Sequence, residues 1–100
     1  MTEQQAKAGL CDCRSRIDVV DRRIVALLNE RTRIVEQIGQ IKGQMQMPIY
    51  EPKREDQVFA NVMESNPGPL APEAVKRIFE RIIDEMRVVQ KLKMEKGTEC

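Results

Sequence analysis

Residues 10–45 read LCDCRSRIDVVDRRIVALLNERTRIVEQIGQIKGQM, and this stretch decides the fold. Leu10, Cys13, Ile17, Val20, Ile24, Leu27, Ile34, Ile38, Ile41 and Met45 step by three and four residues, with Arg31 filling the place between Leu27 and Ile34. That spacing is the seam of a long helix packed along its length. A guanidinium in an apolar seam is costly unless something anionic pairs with it. Lys42 lies only about 20° further round the helix at 3.6 residues per turn. Two cations therefore face inward from one stripe. Either protein carboxylates or an anionic ligand must meet them.

Working outward, the pattern predicts an all-α chain of three helices. The first runs from about Gly9 to Gln46 without an internal proline, and Pro48 ends it by pushing the preceding residue out of the helical region. Pro52 at a first helical position opens the second, with Glu51, Glu55 and Asp56 near its positive end and Val58, Phe59, Val62 and Met63 as its apolar face. Asn66-Pro67-Gly68-Pro69 is a loop, and Pro72 starts the third helix. Its apolar face is Val75, Ile78, Phe79, Ile82, Ile83, Met86, Val89 and Leu92, and a polar, fraying tail is expected after Lys93.

Length adds a constraint. A first helix of this size is about 55 Å long at 1.5 Å per residue, whereas a compact domain of this mass has a radius of gyration of about 13 Å. The two shorter helices cannot cover such a seam. A second copy of the chain is expected to bury the remainder, giving an intertwined homodimeric bundle built from one domain, residues 1–100, with its core at about 8–92.

Composition narrows the function. Lys and Arg number 17 against 16 Asp and Glu, a balance unlike the net basic face of general nucleic-acid or membrane-surface binders. Three aromatic residues, Tyr50, Phe59 and Phe79, offer no stacking platform for bases. The first twenty residues carry charges throughout, no stretch has membrane-spanning length, and the cysteine count (Cys11, Cys13, Cys100) is odd. A cytoplasmic protein is expected. Cys11 and Cys13 point about 200° apart on a helix and cannot chelate together. Histidine is absent, which removes Ser-His and Cys-His nucleophilic catalysis and the commonest metal ligand. Any chemistry must run on Arg, Lys, Glu and Gln, and no cofactor is expected.

On the first helix Arg31 and Lys42 are separated by about 16 Å along the axis, within convergent reach of two long side chains and a small ligand, while Arg14 is about 25 Å from Arg31. In an antiparallel dimer, Arg14 of one chain can approach the middle of the other's long helix. Gln90 continues the row Phe79, Ile83, Met86 into the apolar side of the third helix and needs a partner there. Glu80, Asp84, Arg87 and Lys91 form a ladder read as a solvated face.

These residues match a family. Arg14-x-x-Ile17, Asp21, Leu27-Leu28-x-x-Arg31, Ile38-Gly39-x-x-Lys42, Pro48-Ile49-x-x-Pro52-x-Arg54-Glu55, then Ile82-Ile83 with Gln90, resemble the helical bacterial chorismate mutases over about residues 8 to 92. The resemblance implies an intertwined homodimer with two shared active sites and the Claisen rearrangement of chorismate to prephenate, on the route to phenylalanine and tyrosine. It further implies that Arg31 and the Arg14 of a second copy clamp the substrate carboxylates with Arg54 nearby. Lys42 and Gln90 would donate to the ether oxygen, Glu55 would accept from the ring hydroxyl, and the backbone around Glu51 would complete the pocket. A pericyclic reaction suits a chain without histidine, because it needs conformational restraint and donors aimed at developing charge rather than a nucleophile. One position departs: Met86, counted among the substrate-binding residues, stands where several members carry a carboxylate-binding serine; its thioether can line the pocket, and either affinity is lower or Arg87 or a water takes that contact.

Two rivals share these residues. Isochorismate-pyruvate lyase, a relative on the same scaffold, would use the same cations and Gln90, but Glu55 suits a hydroxyl that chorismate carries and isochorismate bears elsewhere on its ring. A non-catalytic helical dimerisation or regulatory module would pair Arg31 with Glu30, Glu36 or Glu55 and let Lys42 snorkel to solvent.

Overall fold

A computed structural model describes residues 1–98, with side chains through Glu95; Cys100 lies outside the described residues. Three helices form, α1 (Glu3–Met45), α2 (Pro52–Ser65) and α3 (Pro72–Thr98), and no strand occurs among the described residues. The chain divides into two units, Met1–Arg33 and the part from Ile34 onward.

The first unit is helix almost throughout, and none of its residues is buried. Its apolar seam stands open: Leu10, Ile17, Val20 and Ile24 are exposed, and Leu27 is 63% exposed. The helix begins six residues earlier than the periodicity suggests. Thr2 and Gln5 explain this, because the Gln5 N–H donates to the Thr2 hydroxyl at 3.1 Å and the Thr2 N–H to Gln5 Oε1 at 3.0 Å. Such a capping box satisfies two amides that a helix start otherwise leaves without partners.

In the second unit the end of α1 packs against α3 through a row adjacent to the seam. Val35, Gly39 and Lys42, spaced four and three, are the buried positions, while Ile34, Ile38, Ile41 and Met45 remain exposed. Gly39 sets this choice. A Cβ at that position would lie 3.0 Å from Lys93 Cβ and 3.1 Å from both Cα and the carbonyl oxygen of Gln90. Only a glycine lets the two backbones come this close.

The core collects Val35, Val75, Ile83 and Met86, with Val58, Phe59, Val62, Met63, Phe79, Ile82 and Val89 half-buried around them. Ile78 and Leu92, assigned to the apolar face of α3 by spacing, are exposed instead. α3 continues to Thr98. Lys93 pairs with Glu36 at 3.1 Å, and Met94 lies over Gly43, so contacts with α1 carry the helix onward.

α1 ends on a left-handed residue. Gln46 has φ 53°, and the Met47 N–H donates to the Lys42 carbonyl at 2.9 Å, the long bond of a Schellman turn. Pro48 follows directly, two residues after Gln46. The sharp reversal brings residues 49–51 back over Lys42. Glu51 is the N-cap of α2, yet its side chain makes no cap hydrogen bond. Asn66 shapes the next connection by donating to the Leu70 carbonyl at 2.7 Å and accepting from the Gly68 N–H at 3.0 Å.

Candidate active site

Lys42 is the centre of the second unit's polar interior. It is only 8% exposed and is the buried charged residue among those described. Its ammonium donates to Gln90 Oε1 at 2.9 Å and to the Ile49 carbonyl at 3.0 Å, and lies 3.4 Å from a Glu51 carboxylate oxygen. An ammonium has three donors, and three acceptors surround this one. Each comes from a different source: α3, the connection after α1, and the N-cap of α2. Lys42 does not snorkel. The question posed by its inward position therefore has an answer in the chain itself, because Glu51 supplies the carboxylate.

The three contacts are unequal. Ile49 and Gln90 offer neutral oxygens at short range, whereas the Glu51 side chain is 45% exposed and sits furthest away. Two contacts aim the ammonium, and the third is the one an incoming oxygen can displace most readily. Accepting through Oε1 leaves the Gln90 amide nitrogen as the donor it can offer a ligand.

A second cluster joins α2 to α3. Arg87 Nε donates to Glu55 Oε2 at 2.8 Å while Nη2 donates to Oε1, forming a two-pronged fork on the carboxylate. Arg87 Nη1 also donates to Asp84 at 3.0 Å, and the guanidinium lies 5.2 Å from the centre of the Tyr50 ring. The hydrogen bond to Glu55 raises the Arg87 pKa above its ordinary value; burial opposes this, and the charges of Glu55, Asp84 and Tyr50 reinforce it. A raised cation pKa stabilises the fold below the unfolded value and loses that effect only as pH climbs through the raised one, far above neutrality. Arg87 therefore stays charged through the physiological range.

The other residues singled out from the sequence are dispersed. Arg54 is exposed and donates to Gln57 one turn away at 2.8 Å. It lines an open cleft of about 600 Å³ together with Tyr50, Glu51, Pro52 and Gln57. Met86 is buried and belongs to the apolar core. Arg14 is exposed and Arg31 half-buried, both in the first unit. Of the carboxylates suggested as partners for Arg31, Glu36 holds Lys93 and Glu55 holds Arg87.

Arg87 corrects the reading of a solvated ladder: it is half-buried and pairs with Glu55 as well as Asp84. A signal was present, because Ile83, Arg87 and Gln90 are spaced four and three, as are the buried positions of α1. The Ile49 carbonyl left no such trace, since a backbone acceptor carries no residue signature. Cys11 and Cys13 are both free and exposed. Among the described residues no helix is long and apolar enough to cross a membrane.

Comparison with known proteins finds a family. Residues 13–91 match the family described as chorismate mutase type II. A bifunctional chorismate mutase/prephenate dehydratase of Neisseria gonorrhoeae is 37% identical over 78 residues, covering 78% of this chain and 21% of that protein. The chain spans about a fifth to a quarter of the length of the bifunctional relatives it matches. Among solved structures, form II of a chorismate mutase from Thermus thermophilus superposes with TM-score 0.79 at 33% identity, covering 82% of this chain and 93% of that one. A Helicobacter pylori chorismate mutase in complex with prephenate gives TM-score 0.80 at 26% identity, with 88% and 96% covered.

Proposed function

This chain belongs to the chorismate mutase type II family, and from that premise we propose that it converts chorismate to prephenate as a homodimer with shared active sites. The observation that carries the reading is the buried Lys42 ammonium, held by Gln90 at 2.9 Å and Ile49 at 3.0 Å and by Glu51 at 3.4 Å, the contact a ligand oxygen would replace. The rearrangement breaks one C–O bond and forms one C–C bond within a single molecule. Charge builds on the ether oxygen as the bond breaks, and a donor held in a water-poor site stabilises it without reorganising. Lys42 and the Gln90 amide nitrogen are the donors, and each is worth on the order of 10²–10³ in rate.

Arg31, the Arg14 of a second copy and Arg54 take the two substrate carboxylates, since guanidinium forks match planar oxyanions. Glu55 accepts from the ring hydroxyl, and the backbone around Glu51 completes the pocket. The exposed seam supports the dimer: Leu27 at 63%, Ile41 at 58% and their neighbours leave a long apolar stripe that another copy would bury. Residues 8–92 form the catalytic unit. The cytoplasm is the proposed compartment, and the two free thiols support it.

A progress curve for chorismate consumption with product identification tests the reaction. Prephenate is expected; pyruvate released from isochorismate instead would favour the lyase chemistry, and no turnover above background would leave a non-catalytic module. Shared sites are tested by mixing Arg14→Ala with Arg31→Ala. Each homodimer is expected to be nearly inactive, and subunit exchange should restore activity by producing one site with neither lesion.

A further inference from the structure

We propose that Arg87 is a positioning residue that sets the Glu55 carboxylate to receive a substrate hydroxyl; the proposal rests on the chorismate mutase reading above. Glu55 projects from α2 on a side chain with three rotatable bonds, and nothing on its own helix holds it. Arg87 does so from α3, 32 residues away, by gripping both carboxylate oxygens at once. A two-pronged grip fixes the carboxylate plane, where a single contact would leave it free to rotate.

Lone-pair counting shows what the grip leaves over. An ionised carboxylate has about four acceptor sites. The fork takes one on each oxygen, so each oxygen retains one for another donor. With its side chain only 16% exposed, Glu55 is sheltered enough for that remaining capacity to favour a ligand hydroxyl over bulk water.

The clamp is itself held. Asp84 takes the third guanidinium nitrogen from one turn back on α3, and the Tyr50 ring covers the guanidinium face. An ordinary surface pair along one helix would involve Asp84 alone. Here two further contacts arrive from α2 and from the connection before it. Arg87 also precedes Gln90 by three residues, so one turn of α3 orients both the Lys42 cluster and Glu55.

The test measures kcat and KM for chorismate in the full chain carrying Arg87→Met, Arg87→Lys, Glu55→Gln, or Arg87→Met with Glu55→Gln. Arg87→Met is expected to lower kcat/KM about 10- to 100-fold through misplacement of a binding group. Most of the loss should fall in KM, because a hydroxyl contact serves ground and transition states alike. Arg87→Lys should recover little, since an ammonium cannot reproduce the fork. In the Glu55→Gln background, Arg87→Met should cost less than about threefold more, the signature of two residues acting as one. Wild-type activity in Arg87→Met overturns the proposal, as does a full loss persisting without Glu55, which would mean direct substrate contact. If Arg87→Met does not fold, Arg87→Lys decides alone: a loss of about tenfold or more supports positioning, and wild-type activity overturns it. A wild-type chain inert toward chorismate would sink the functional reading first, visibly, and the positioning role with it.

Discussion

Replacing Gly39 with alanine adds one methyl at the closest approach of α1 and α3. The new Cβ would stand 3.0 Å from Lys93 Cβ and 3.1 Å from Gln90 Cα and O. Two of those three atoms are backbone and cannot swing away, so α3 must retreat by a few tenths of an ångström. Overpacking of this kind costs about 1–3 kcal/mol. Alanine offsets about 1 kcal/mol of that through its better helix propensity. The net expectation is a loss of about 0–2 kcal/mol, measured by urea unfolding.

Activity should suffer along with stability. The retreat moves Gln90 itself, and a shift of a few tenths of an ångström would take the 2.9 Å bond to Lys42 to the weak end of the hydrogen-bond range. A fall of about three- to tenfold in kcat/KM for chorismate is expected, given that a misplacement of about 1 Å can cost 10²-fold and this one is a few tenths of an ångström. Gly43→Ala is the internal control. Its Cβ would meet Met94 at 3.4–3.7 Å, ordinary contact, so that variant should be unchanged or more stable by up to about 1 kcal/mol and should keep its activity. Equal stability and equal turnover for the two alanine variants would refute the close-packing argument.

Three further outcomes are expected. Lys42→Gln should keep a helical circular dichroism spectrum but lower kcat on the order of 10²–10³-fold, as for loss of one transition-state donor, and a loss below about tenfold would remove Lys42 from that role. Gln46→Gly should leave stability unchanged or raise it by up to about 1 kcal/mol in thermal unfolding, because φ 53° burdens a side chain; a clear drop in melting temperature would contradict the strain. Thr2→Ala should weaken the start of α1 by about 0.5–1 kcal/mol, read as faster amide exchange over residues 3–8, and unchanged protection there would deny the capping box.

Much of the architecture was legible before any coordinates. Pro52 and Pro72 announced two helix starts, and Asn66-Pro67-Gly68-Pro69 announced the loop between them. The first helix is readable in type but not in extent, because Thr2-x-x-Gln5 lies ahead of the apolar repeat. Gln90 was placed correctly on the inner side of α3, and its partner proved to be Lys42. The Arg87 pairing with Glu55 is not legible in the sequence, because charges at spacings of three and four look alike on a wet face and on a half-buried one.

By itself, the sequence determined where helices begin and break, since proline geometry, glycine freedom and apolar spacing act within a few residues. It also determined which chemistry is open to a chain without histidine. Tertiary structure alone decided which stripe of α1 meets α3. Two rows, one through Ile34, Ile38 and Ile41 and one through Val35, Gly39 and Lys42, were both available, and backbone clearance at Gly39 selected the second. It likewise decided that Lys42 meets Gln90 and Arg87 meets Glu55, pairs 48 and 32 residues apart. Periodicity tells which side chains share a face, but the neighbour that covers the face is chosen by how closely two backbones can approach.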